Sequence, residues 1–320
     1  WYVLFMIPYF LWVRDEAGEQ VSRPSVSAAF ASLGRSLKGL KGNKSLAAYL
    51  ASSMFYRDAL NGLYGFGGVY AKLVLNWEIT QIGVFGIIGG ISAVFFSWFG
   101  GRIDSKKGPK PVIIGGIWIL IGVCVTVVCM SREMIFGIPL AEGSSLPDIV
   151  FYICGALIGG LGVGASSIAV PSYISEIAPP KKRDQLVALY QFMLVIGILT
   201  AFVSNFLLGG YGENDWRWMV GVEVVPAVIY LIAVLFVPES PRWLIIRQSD
   251  DQKAQEILKS INPDDWRSVM DNITAESRDV IRWSAILAKK YFRPISLAVL
   301  LAFFNQVSGI NAVIYYAPRL

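Results

Sequence analysis

The residues with chemical capacity in this chain sit where polarity is expensive, inside long apolar runs. The run 294–317 carries Asn305, Gln306, Ser308, Asn311, Tyr315 and Tyr316. Side-chain amides both donate and accept hydrogen bonds, which matches the hydroxyls of a polyol. Gln306 and Asn311 lie about 140° apart around a regular helix. They converge on one ligand only if the helix is distorted, and Gly309 lies between them. Discontinuous helices build midplane sites of this kind; the alternative is interhelical hydrogen bonding among the same amides. Arg57 and Asp58 fall near the middle of the run 46–75. Charge at that depth costs at least ~2.5–3.5 kcal/mol and normally faces a cavity or a partner. Neighbouring helical residues point about 100° apart, so the two need separate partners; a helix that starts later puts both at the interface instead. Glu223 precedes Pro226 inside the run 217–237. A carboxylate there can bind a proton or satisfy neighbouring amides, and Pro226 permits a kink.

Other chemistries are excluded by what the sequence lacks. It has no histidine, the commonest proton shuttle and metal ligand. Cys124, Cys129 and Cys154 all sit inside apolar runs and fit no metal or disulfide spacing, so buried structural thiols are expected. No His, Cys or carboxylate cluster has catalytic spacing, so neither an enzyme, a metal site nor a cofactor is expected.

The elements that position these residues follow from composition. The chain is 55% hydrophobic and only 16% charged, with a mean hydropathy of +0.55, which implies an integral membrane protein. Apolar runs lie at 46–75, 81–99, 111–131, 149–173, 186–209, 217–237 and 294–317, with a stub at 1–13. About 20 residues are needed for a helix to cross the hydrocarbon core. In lipid every backbone amide must be satisfied internally, so these segments are helices. The fold class is therefore all-α integral membrane, with seven full transmembrane helices plus a partial one.

Orientation follows from the basic residues between the runs. Segments 14–45, 100–110, 176–185 and 238–293 carry six, four, three and ten Lys/Arg, 23 of the 28 in the chain. All fall on one side if the spans alternate, whereas the opposite connections carry Lys72, Arg132 and Arg217. The charged side is expected to be cytoplasmic. That makes 14–45 a cytoplasmic linker, with a basic stretch that either lies on the membrane surface or is solvated. It makes 238–293 a cytoplasmic helical subdomain: Ser249 with Gln252 reads as a capping box, Ala254, Ile257, Leu258 and Ile261 follow at helical spacing, and Asn262-Pro263 reads as a second helix start. Trp1 is no initiator residue and the chain stops at the end of an apolar run, so a fragment is expected.

The stretch Gly159–Asp184, GGLGVGASSIAVPSYISEIAPPKKRD, passes from a small-residue helix through Pro171 to a charged end. Together with QFMLVIG, VPESPRWL and NQVSGINAVIYYAP, in that order and spacing, it resembles the sugar porter family of the major facilitator superfamily. That resemblance covers residues ~159–320 and implies helices four to seven of that family. It implies that Glu176, Arg183, Glu239 and Arg242 join a cytoplasmic charge network, that Gln191, Asn305, Gln306 and Asn311 bind sugar hydroxyls, and that Tyr315 and Tyr316 gate the outer side. The family's Arg-Gly is Arg183-Asp184 here, its Gln pair is Asn305-Gln306, and its helix-four arginine, tied to proton coupling, is Ala156.

Residues 1 to ~158 look instead like the C-terminal half of the vacuolar amino-acid effluxer-like family, carried by MFYRDALNGLYGFGGVYA and the loop GGRIDSKKGPKP. The loop is a variant of a superfamily motif and places Asp104 in the charge network; it is expected to cap a helix end with that Asp and to present cations to the membrane surface. The two resemblances meet at a seam near 155–165. They combine into a six-helix half-bundle at 46–237, with inverted three-helix repeats, followed by the subdomain and the first helix of a second half at 294–320. The function expected is a segment of a secondary active transporter that moves a sugar or other small polar solute by alternating access. Its partners are the solute, the bilayer and a proton as candidate coupling ion, with no nucleic acid. The alternatives are a composite of two transporters that inserts but does not transport alone, and an amino-acid effluxer-like carrier.

Overall fold

A computed structural model of the chain describes residues 34, 67–68, 70–157, 160, 166–177, 183–210, 212, 215–261, 265–278, 292, 295–297 and 299–300. The chain divides into two compact units, Ala31–Thr274 and Trp1–Phe30 with Ala275–Leu320. In the second of these the described residues 295–297 and 299–300 are helical.

In Ala31–Thr274 the helices run in chain order as α1 Ile79–Lys107, α2 Pro109–Val128, α3 Leu146–Leu157, α4 Ser166–Ile177, α5 Arg183–Leu208, α6 Asp215–Val222 and α7 Val224–Leu235. They continue as α8 Pro241–Trp243, a π-turn at Leu244–Gln248, α9 Asp251–Ile261 and α10 Trp266–Arg278. Four segments among the described residues are long and apolar enough to cross a membrane: Ile79–Lys107, Pro109–Val128, Ala188–Leu208 and Asp215–Leu235. Leu146–Leu157 is a shorter apolar helix.

α2 is the hub. It touches α1, α3, α4, α6 and α7, and Ile113, Ile117, Leu120, Cys124 and Val127 form its buried stripe at helical spacing. α7 meets it with Ala227, Tyr230, Leu231 and Val234. Outward-facing residues are also apolar, Val94, Trp98, Phe206 and Phe236 among them, as expected where the surrounding solvent is hydrocarbon. Small residues set the closest approach: a Cβ at Gly155 of α3 would lie 2.2 Å from the ring of Phe85 on α1. Cys124 and Cys154 are buried, and all three thiols are free.

Several local expectations are corrected. The segment GGRIDSKK is the last part of α1 and not a loop, since nothing in it breaks a helix before Gly108. There φ reaches +82°, and α2 starts at once on Pro109. Asp104 contributes its backbone carbonyl, which accepts the Gly108 N–H at 2.8 Å, so its side chain is not the cap. Ser249 is left-handed, with φ 55°; the start of α9 is capped by Asp250, whose Oδ1 accepts from the Lys253 N–H at 3.1 Å. The described residues also contain one piece of sheet. Met134–Ile135 pairs antiparallel with Ile138–Pro139, across a turn in which Phe136 and Gly137 have φ 51° and 78°, the signs a two-residue hairpin requires.

Candidate functional site

Two polar centres tie the bundle together, one at each end. The cation-rich end joins α1, α2, α4 and the chain leaving α7. Ser240 is buried. Its hydroxyl donates to Glu176 Oε2 at 2.5 Å and accepts from the Trp243 backbone N–H at 3.1 Å. The Ser-Pro pair Ser240-Pro241 thus caps α8 locally and reaches across to the end of α4. Tyr173, one turn earlier on α4, donates its phenol to the Pro238 carbonyl. Lys110, in the first turn of α2, donates to the carbonyls of Leu235 and Val237 at 3.0 and 2.7 Å. These are acceptors that the end of α7 leaves open. Glu239 pairs with Lys253 of α9 at 2.8 Å. Trp243 lies over Gly108, where a Cβ would come within 3.1 Å of the indole.

The electrostatics follow from that geometry. Burial is the main reason the Glu176 carboxyl sits above its ordinary value. The Ser240 hydroxyl pulls it back down, Asp104 nearby pushes it up, and Arg242 pulls it down. The hydrogen bond to Glu239 raises Lys253 above the usual lysine value. Donors and acceptors here are consumed in joining helix ends. The described residues contain no His/Cys/Asp/Glu group fit for a metal ion.

At the opposite end Trp77 is 1% exposed. It donates its indole N–H to Asp148 Oδ1 at 2.6 Å, and the same oxygen takes Arg132 at 2.6 Å. The indole stacks on Tyr152 with centroids 4.5 Å apart and meets Phe151 edge-on at 5.4 Å. Tyr70 donates to the Met130 carbonyl at 3.1 Å.

Of the residues singled out from sequence, Asp104 and Arg242 come within electrostatic range of Glu176. Glu239 lies in the same segment as Ser240 but pairs with Lys253. Arg183 opens α5, and its side chain is outside the described residues. Gln191 lies on the exposed face of α5, in register with exposed Val195, Leu199 and Phe202. Glu223 is 1% exposed. It occupies the break between α6 and α7, in electrostatic range of Cys124. Arg57, Asp58, Asn305, Gln306, Asn311, Tyr315 and Tyr316 lie outside the described residues, as do the stub 1–13 and nearly all of 14–45. Ser240, Trp243, Lys110, Tyr173 and Lys253 did not emerge from sequence reasoning. A signal existed only for Ser240, a good N-cap residue directly before a proline.

Comparison with known proteins places this geometry in a family context. The model of the family described as "Sugar (and other) transporter" matches residues 31–320. A probable metabolite transport protein, CsbC, of Bacillus subtilis is 41% identical over 234 residues, covering 72% of this chain and 46% of that protein. The galactose-proton symporter of Escherichia coli is 31% identical over 250 residues, covering 77% and 48%. The D-xylose transporter of Levilactobacillus brevis is 33% identical over 195 residues, covering 60% and 42%. The chain thus spans about half the length of the curated relatives it matches. In fold it resembles the proton:xylose symporter XylE of the major facilitator superfamily, with a TM-score of 0.69 at 22% identity over 86% of this chain and 61% of that one.

Proposed function

The chain belongs to the sugar (and other) transporter family, and we propose on that premise that it is a segment of a secondary active carrier for a sugar or similar polyol. It is a multi-pass integral membrane protein with the helical major facilitator fold, and it is a transporter-family protein, not an enzyme. We take 46–237 as a six-helix half, 238–293 as a cytoplasmic helical subdomain and 294–320 as the first helix of a second half, with seven full spans in all. The cation-rich end then faces the cytoplasm.

One observation carries the substrate reading. Gln191 is an amide on the exposed face of a membrane-spanning helix. An unpaired amide in hydrocarbon costs on the order of several kcal/mol, so the Gln191 side chain requires a polar partner. Gln191, Asn305, Gln306 and Asn311 are the candidate sugar-binding residues, because each amide can pair with a hydroxyl as donor and acceptor. Tyr315 and Tyr316 are the candidate outer gate. Asp104, Glu176, Arg183, Glu239 and Arg242, with Ser240 and Lys253, hold the cytoplasmic helix ends in one of the two states of an alternating-access cycle. Glu223, Arg57 and Asp58 are the candidate intramembrane charges. The position tied to proton coupling in the family carries Ala156, so no proton step is assigned to this segment.

The family match spans residues 31–320, a range that includes the proposed seam near 155–165. That favours a single sugar-porter segment over a composite of two carriers. The test is equilibrium binding of xylose and galactose to the purified chain. Gln191→Ala, Gln306→Ala and Asn311→Ala are each expected to weaken binding tenfold or more, on the order of the penalty for leaving sugar hydroxyls unpaired. Unchanged binding in all three removes the sugar site.

A further inference from the structure

The last turns of α1 carry a face that the transport reading does not use. Phe95, Trp98, Arg102 and Lys106 recur at helical spacing, all exposed, and fall within an arc of about 80°. Asp104 lies on the opposite face of the helix, about 180° from Phe95. The Arg102 guanidinium sits 3.8 Å from the centroid of the Trp98 ring. Three other cations of the bundle are spoken for: Arg132 by Asp148, Lys253 by Glu239, and Lys110 by two carbonyls. Among the described residues neither Arg102, Lys106 nor Lys107 meets a carboxylate.

The order along the axis is aromatic first, cation last, over about 16 Å of rise from Phe95 to Lys106. That is the order of a phospholipid leaflet read from acyl chain to headgroup, with indole at the boundary and basic groups at phosphate level. Packing the guanidinium flat on an indole leaves its in-plane N–H groups free, and these suit phosphate oxygens.

We propose that this face is a binding site for an anionic phospholipid. Arg102 and Lys106 hold the headgroup phosphate, Lys107, about 100° further round the helix, adds charge at the same level, and an acyl chain lies along Trp98 and Phe95. A zwitterionic lipid brings its own cation to the headgroup and loses most of the attraction. Each basic group near the surface is worth on the order of fivefold in local concentration of an anionic lipid, so the trio sets a preference well above bulk mixing.

The test reconstitutes the full chain in phosphatidylcholine vesicles doped with a minor fraction of brominated phosphatidylglycerol or brominated phosphatidylcholine. The Trp98 signal is the difference in fluorescence between the wild type and Trp98→Phe. The expected result is quenching of that signal several-fold greater by the brominated phosphatidylglycerol. The preference is expected to fall to parity in the triple variant Arg102→Gln, Lys106→Gln, Lys107→Gln. It is expected to survive in Lys253→Gln with Lys259→Gln, which removes charge elsewhere. Equal quenching by the two lipids in the wild type overturns the proposal. So does an equal loss in both charge variants, which would mark an effect of net charge alone. Failure of both lipids to quench Trp98 also overturns it, because the face is then covered by protein, such as a second copy.

Discussion

Replacing Ser240 by alanine removes one hydroxyl that serves two partners. Glu176 loses a donor at 2.5 Å, and the Trp243 N–H loses its acceptor at 3.1 Å. A hydrogen bond to a charged group contributes about 1.5–3 kcal/mol, and loss of an N-cap costs about 0.5–2 kcal/mol. Glu176 keeps some contact with solvent, so we expect the low end of the combined range, about 2 kcal/mol. For a chain of this size that is a fall in Tm of roughly 3 °C, measured by intrinsic tryptophan fluorescence of the purified protein. The effect also has a pH signature. Burial raises the folded-state value of Glu176 and the Ser240 hydroxyl opposes that rise. A carboxyl raised on folding contributes stability that is fully present below its unfolded value and is lost as pH climbs through the folded one. Removing Ser240 lifts the folded value further and deepens that loss. The penalty of Ser240→Ala is therefore expected to be larger at alkaline than at acid pH, shrinking as Glu176 takes up its proton. A shift under about 1 °C, or one of equal size at acid and alkaline pH, refutes the assignment of Ser240 as the donor to an ionised Glu176.

Two further substitutions probe the remaining contacts. Gly108→Ala forces a Cβ to within 3.1 Å of the Trp243 indole at a φ of +82°. It is expected to cost at least about 1–2 kcal/mol and to shift the emission of Trp243; a Tm and emission unchanged from wild type would show that Trp243 does not pack there. At the opposite end, Asp148→Ala leaves the Trp77 N–H buried without its acceptor and is expected to cost about 1–3 kcal/mol. Asp148→Asn keeps an acceptor and loses only the partly exposed pair with Arg132, about 0–1 kcal/mol, so equal costs for the two variants would contradict the Trp77 bond.

What could be read from sequence divides by range. The run 111–131 was legible as a membrane-spanning helix from its length and apolarity, but it is apolar all round, so its spacing did not mark Ile113, Ile117, Leu120, Cys124 and Val127 as the buried stripe. The end of α1 was misread because Arg102, Asp104, Lys106 and Lys107 look like a polar loop. Cations in a last turn instead favour the helix C-terminus, and only Gly108 forces the chain to stop. Ser249 and Asp250 are both good capping residues, and sequence spacing chose the wrong one. The ties that close the bundle were invisible for a different reason. Tyr173 to Pro238, Lys110 to Leu235 and Trp77 to Asp148 join residues far apart in the chain, and no local pattern encodes such pairs. Asp104 and Arg242 lie within electrostatic range of Glu176, but no spacing in the sequence pointed to Ser240 and Lys253, which supply the direct bonds to Glu176 and Glu239.

The capping of α7 by Lys110 has a consequence for the bilayer itself. An ammonium in the first turn of α2 is bound to the last carbonyls of α7, so both helix ends are held at one level, where charge can still reach water. At the other end of α2 lie Met130, tied to Tyr70, and Arg132, tied to Asp148. Between these two polar belts the 20 residues of α2 rise about 30 Å, the thickness of a typical hydrocarbon core. The protein therefore carries its own gauge of membrane thickness. In a thinner bilayer the central helix must tilt, and in a thicker one the lipids around Lys110 and Arg132 must thin. Hydrophobic mismatch then acts as a load on the same contacts that hold the helix ends together.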